Sequence, residues 1–160
     1  MASKQILPVQ IISKTDVVRL KRELEALDES LNQRRLRKGG EPTALPKITP
    51  MLEDFAAAAK SNLLHNDDRE KLLKLTDTVG TTSPVIHISF ATTPAPAFLQ
   101  KLVKWFREEI HPTTLIHVGL QPGIAAGCIV RTPNKQFDFS LKNFLAAKQD
   151  MLVQQLRGEA

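Results

Sequence analysis

Gln121-Pro122-Gly123-Ile124-Ala125-Ala126-Gly127-Cys128-Ile129-Val130-Arg131-Thr132-Pro133-Asn134-Lys135-Gln136-Phe137-Asp138-Phe139-Ser140-Leu141 is the stretch from which the architecture is read. An apolar run, Ile124 to Val130, is separated by the turn formers Thr132 to Lys135 from Gln136-Phe137-Asp138-Phe139, where polar and aromatic residues alternate as in a half-buried strand. The two runs predict a β-hairpin. Ser140 then precedes Leu141, Phe144, Leu145, Leu152, Val153 and Leu156 at helical spacing, so its hydroxyl is placed to cap the first free amides of a terminal helix.

Upstream of the hairpin, Val85-Ile86-His87-Ile88-Ser89-Phe90 is a β-favouring run closed by the Thr- and Pro-rich Ala91 to Pro96. Phe98, Leu99, Leu102, Val103, Phe106 and Ile110 mark one face of a helix, with Lys101, Lys104, Arg107 and Glu108 toward water and Trp105 at the boundary. Leu115-Ile116-His117-Val118 predicts another strand. The second half, 84–160, therefore reads as a small α/β domain with a four-stranded sheet, the hairpin and a C-terminal helix.

The first half, 1–83, reads as about three helices, which makes the whole an α+β chain. Gln5 to Ile12 is an apolar lead-in that suits either an added strand or a groove. From about Asp16 to Lys38 the pattern is helical, with Ser13 and Asp16 spaced as a capping pair. Val17, Leu20, Leu24, Leu27 and Leu31 recur at three and four residues. That stripe fits a partner helix, and equally an amphipathic helix docked on its own domain. Gly39-Gly40 stops the helix, and Pro42, Pro46 and Pro50 mark residues 39–50 as a linker. Pro50 opens a second helix through Phe55 and Ala56 to Ala59, ending near Leu64. Asn66 is placed to cap a third, which Gly80 and Pro84 end.

Composition narrows the function classes. The chain has 160 residues, 42% hydrophobic and 24% charged, enough for one compact domain or a small domain with a helical extension. No apolar run approaches the roughly 20 residues that span a bilayer, and the start lacks an export signal, so a cytoplasmic protein is expected. Cys128 is the only cysteine, which excludes an internal disulfide and a cysteine-built zinc site and suggests a buried small hydrophobe. The net charge of +5 allows an acidic partner, but its densest cluster, Arg34 to Lys38, closes a helix, where cations complement the exposed carbonyls. No aromatic residue interleaves with it to stack on bases. Catalysis finds no constellation: His65, His87, His111 and His117 are scattered, no phosphate loop is present, and Asp67-Asp68 and Glu108-Glu109 point to different helix faces. No cofactor and no metal is expected.

The run from Pro122 to Leu141 resembles the C-terminal signature of the delta subunit of F-type ATP synthases. The family's pattern is a proline, an apolar pair, Gly-Gly, a β-rich run ending in Arg, a short turn, and Asp-x-Ser-Leu opening the last helix. Pro122 matches the proline, Ala126-Gly127 the glycine pair, Arg131 the arginine, and Asp138, Ser140 and Leu141 the tetrad. No gap is needed between Gly127 and Asp138. Ala126 replaces the first glycine and leaves less freedom for positive φ there. The likeness covers about Pro84 to Leu156, whereas the family's N-terminal six-helix bundle is longer than Met1 to Ser83.

The resemblance implies a non-catalytic peripheral-stalk subunit that ties the elongated stalk subunit to the catalytic head and resists rotor torque. It would sit at the inner face of the plasma membrane through the complex. On this reading Val17, Leu20, Leu24, Leu27 and Leu31 form one contact stripe, and Leu145, Leu152 and Leu156 serve as core or as a docking surface for the stalk. The alternatives are a stator subunit of a vacuolar-type or flagellar-type ATPase, and a basic module binding nucleic acid through Arg34 to Lys38, whose signature is a steep loss of affinity with salt.

Overall fold

Helices lead the chain and strands follow. The computed structural model describes residues 7–38, 46–124, 126–132, 134–142, 145–146, 148 and 153. In order these form α1 (Lys14–Lys38), α2 (Pro50–Ala58), α3 (Asn66–Thr82), β1 (Val85–Phe90), α4 (Pro96–Glu109), β2 (Leu115–Leu120), a 3-10 turn (Pro122–Ile124), β3 (Gly127–Arg131) and β4 (Gln136–Ser140). The class is α+β, as the sequence indicates. Two compact units result: Met1–Pro84 with Leu99–Leu115, and Val85–Phe98 with Ile116–Ala160. Most of α4, which the sequence assigns to the second half, thus belongs with the helices.

In the first unit α1 starts on a reciprocal cap. The Ser13 amide donates to Asp16 Oδ2 at 2.8 Å and the Asp16 amide donates to Ser13 Oγ at 3.3 Å, which satisfies two otherwise free donors. The Thr49 hydroxyl caps α2 by accepting from the Leu52 amide. The same residue donates its own amide and hydroxyl to the Glu23 carboxylate, each at 2.7 Å, so the cap also joins α2 to α1.

The second helix ends at Ala58 rather than near Leu64. Lys60 takes φ 53°, the Ser61 amide reaches back to the Ala56 carbonyl at 2.9 Å, and the Lys60 amide to Ala57 at 3.0 Å. This paired pattern closes a helix around a left-handed residue, usually glycine. The third helix starts at Asn66, but its cap residue is His65, with no side-chain hydrogen bond there. Asn66 is occupied instead by Arg69, whose Nη2 donates to its Oδ1, and by Glu70. Gly80 lies inside α3, which runs on to Thr82.

The second unit carries a four-stranded mixed sheet in the order β2-β1-β3-β4. Strand β3 is antiparallel to both neighbours, with His87 opposite Arg131 and Phe90 opposite Cys128 on one side, and Cys128 opposite Phe139 on the other. One face carries Ile86, Ile88 and Phe90, all buried, with Cys128 and Val130 beside them. Phe98 stands edge-on to Phe90, ring centres 6.1 Å apart. Cys128 is half-buried, and desolvation pushes its thiol above the usual range, away from nucleophilic behaviour.

Gly80 has helical company and room. A methyl group there would meet nothing nearer than Val17 Cγ1 at 3.8 Å, an ordinary contact. Gly80→Ala should therefore raise stability by about 0.5–1 kcal/mol through the reduced freedom of the unfolded chain, as read by urea denaturation at unchanged slope.

Candidate functional site

The five residues of the α1 stripe are interior. Val17, Leu20, Leu24, Leu27 and Leu31 are each at most 4% exposed. Leu52, Phe55 and Ala56 of α2 and Leu72, Thr76 and Val79 of α3 are buried as well. A stripe with this period packs as well on the chain's own helices as on another protein's, and here it packs on its own. The expectation of a partner-binding face at these positions is corrected accordingly. Burial of such side chains removes about 1.5–3 kcal/mol of hydration penalty each, and a partner would have to replace all of it.

Two buried cations fix the first unit. Arg69, 3% exposed, donates from Nε to Asp28 Oδ1 at 2.6 Å and from Nη1 to the carbonyls of Leu63 and Leu64 at 3.0 and 2.9 Å. It joins α1, the α2–α3 connection and α3. Arg107, 2% exposed, has no carboxylate. Its Nε donates to the Thr114 carbonyl at 3.2 Å, its Nη1 to Leu7 at 3.1 Å and Pro8 at 2.9 Å, and its Nη2 to Ile11. Desolvation pushes this guanidinium down to about 10, which leaves it charged at neutral pH.

The sequence places Arg107 in water, and the structure corrects that. Val103, Phe106 and Arg107 are three and four residues apart and form the buried side of α4, whereas Phe98, Trp105 and Ile110 are exposed. Spacing alone would have found it; the charge directed the reading elsewhere. Leu7 and Ile11, buried beside the carbonyls that Arg107 holds, settle the lead-in as a docked segment rather than a strand.

The residues of the C-terminal signature come together in the second unit. Pro122 opens the 3-10 turn that buries Ile124. Gly127 adopts φ +92°, and a Cβ built on it would lie 2.2 Å from the Phe139 carbonyl oxygen, so no other residue fits. The positive φ falls on the second residue of the expected glycine pair, while Ala126 has none, so its methyl is tolerated. Arg131 ends β3 and donates from Nε to Gln136 Oε1 across the pair at 3.1 Å. Thr132 and Lys135 close the turn, with the Thr132 amide donating to the Lys135 carbonyl at 2.8 Å.

At the far end Asp138 Oδ1 accepts the Ser140 amide at 2.8 Å. Hydrogen bonds from the Ser140 side chain and amide hold the Asp138 carboxyl below its ordinary value. Ser140 is buried and closes β4, and the Leu141 amide donates to the Ala126 carbonyl at 2.9 Å. The chain is thus pinned on both sides of the residue where it leaves the sheet.

Strand β4 differs from expectation in burial. Its first four residues are exposed and only Ser140 is buried, because β4 is an edge strand of the sheet. Phe137 and Phe139 stack on each other at 6.3 Å, at 44% and 63% exposure. Leu141, Leu145 and Val153, each helical, are exposed too. Leu152 and Leu156 lie outside the described residues. Among the described residues of the second unit, β4 and the residues C-terminal to it thus expose apolar side chains, as do Phe98 and Leu120.

No group of three or more His, Cys, Asp or Glu among the described residues is arranged to hold a metal ion, and no helix among them is long and apolar enough to cross a membrane. His111 is engaged in its own turn, where the Thr113 hydroxyl lies 3.0 Å from its Nδ1. Arg34, Arg35 and Arg37 are exposed at the end of α1. No protein-family model matches the chain, and no curated protein matches it either.

Arg107→Met should leave several carbonyls without donors and destabilise the first unit by about 3 kcal/mol or more, with Arg107→Lys failing to restore it because one ammonium cannot span the fork. Chemical denaturation and amide exchange at residues 7–12 would measure both. Gly127→Ala should cost at least about 2 kcal/mol from the clash and the left-handed backbone, read as fast amide exchange confined to β3 and β4.

Proposed function

We propose that this chain is a non-catalytic peripheral-stalk subunit of the F-type ATP synthase delta kind, which links the elongated stalk subunit to the catalytic head and holds it against rotor torque. The observation that carries the reading is the segment from Pro122 to Leu141. It has the family's residue order, and each of its distinctive residues has a mechanical part: Gly127 lets two strands approach, Arg131 clamps their far end, and Asp138, Ser140 and Leu141 fix the exit from the sheet.

A stator part works by staying in place under load. It needs stiff elements and durable apolar contacts, and bond chemistry has no role in that task. The hairpin supplies stiffness. The contact surface is assigned to the second unit, where Leu141, Leu145 and Val153 are exposed, and the elongated stalk subunit is the occupant. Because the α1 stripe is interior, the helical unit meets the catalytic head through other residues. The chain is peripheral to the inner face of the plasma membrane by way of the complex.

Leu24→Asp cannot test docking, since it would put a carboxylate in a fully buried position and unfold the helices. Leu141→Asp with Leu145→Asp can, because both side chains are already in water. Affinity purification of the unaltered chain from membranes should recover ATPase stalk and head subunits. The double variant should lose at least about tenfold of that recovery at unchanged melting temperature, equivalent to roughly 1.4 kcal/mol of binding. Full recovery with the double variant, or recovery of nucleic acid in place of ATPase subunits, rejects the reading.

A further inference from the structure

His87 of β1 and His117 of β2 occupy neighbouring strands of the sheet, and both are exposed. Their ring centres are 5.0 Å apart and their planes are tilted by 54°. That separation matches shared coordination. A ring nitrogen bound to zinc at about 2.0–2.1 Å puts its ring centre roughly 3.2 Å from the ion, and two such rings at a tetrahedral angle have centres about 5 Å apart.

The surroundings keep the pair available. His87 stands opposite Arg131 on its other side, but Arg131 turns its Nε toward Gln136 of β4. In water, a guanidinium about 8 Å from a divalent ion would lower its affinity only about fivefold. The next residues along the same strands on that face, Ser89 and Gly119, are small, with Ser89 Oγ 3.3 Å from where a Gly119 Cβ would be. In the opposite direction along the strands, the alternate residues are Val85 and the buried Leu115.

We propose that His87 and His117 form a surface site for a borderline divalent transition-metal ion of the zinc or nickel class, bound by two imidazole nitrogens with water in the remaining positions. Imidazole suits these ions and does not suit magnesium or calcium, which take oxygen ligands. The bound ion would clip β1 to β2, strands that the chain separates by α4, and would stabilise the folded state by mass action. The site is independent of the stalk reading.

The test uses the full-length chain, titrated separately with zinc, nickel and magnesium chlorides while histidine ring proton signals and the melting temperature are followed. Zinc should perturb the rings of His87 and His117, leave those of His65 and His111 unchanged, and raise the melting temperature, with nickel broadening the same two signals and magnesium doing nothing. His87→Gln and His117→Gln, at exposed positions that leave the fold intact, should each weaken zinc binding at least about tenfold. Absence of zinc binding up to about 1 mM, or affinity unchanged in both variants, would overturn the proposal.

Discussion

Removing the apolar side of α1 from water is the constraint on which the helical unit is built. A 25-residue helix with a five-residue stripe has no stable existence until that stripe is covered, and α2 and α3 supply the side chains that cover it. Polar ties then fix the geometry. Glu23 receives the cap of α2, and Asp28 receives Arg69 of α3, so each covering helix is bound to α1 by a carboxylate as well as by packing. The carboxylates stand at the edge of the apolar stripe, where a one-residue slip of α3 would leave the buried Arg69 without its acceptor.

The sheet obeys a different logic. Its organising residue has no side chain at all. Gly127 brings β3 within reach of the Phe139 carbonyl, and this close approach sets the register in which Cys128 meets Phe90 on one side and Phe139 on the other. Where the pairing ends, a carboxylate and an amide take over from the ladder. The edge strand keeps two aromatic rings exposed, next to the residues Leu141 and Leu145 of the proposed docking surface.

Much of this is legible in the sequence, for identifiable reasons. The starts of α1 and α2, β1, β2 and the hairpin emerge from period and from turn residues. The end of α2 does not, because Lys60 occupies a left-handed position that sequence reading reserves for glycine or asparagine. The cap of α3 falls one residue before the expected Asn66, whose side chain has two other partners and takes no role as a cap. The α1 stripe illustrates a deeper limit: an apolar period records that a face will be covered and is silent about whose atoms cover it. Arg107 is the opposite case, a residue on the buried side by spacing whose charge argues for water until the carbonyls that receive it are known.

Those carbonyls make residues 7–11 indispensable to the helical unit. Three of the four acceptors around Arg107 belong to Leu7, Pro8 and Ile11, a short stretch without helix or strand of its own. A variant lacking residues 7–11 would retain a guanidinium in a dry interior with Thr114 as its remaining acceptor. Loss of residues 7–11 would therefore destabilise the first unit, even though that stretch lies outside every helix and strand.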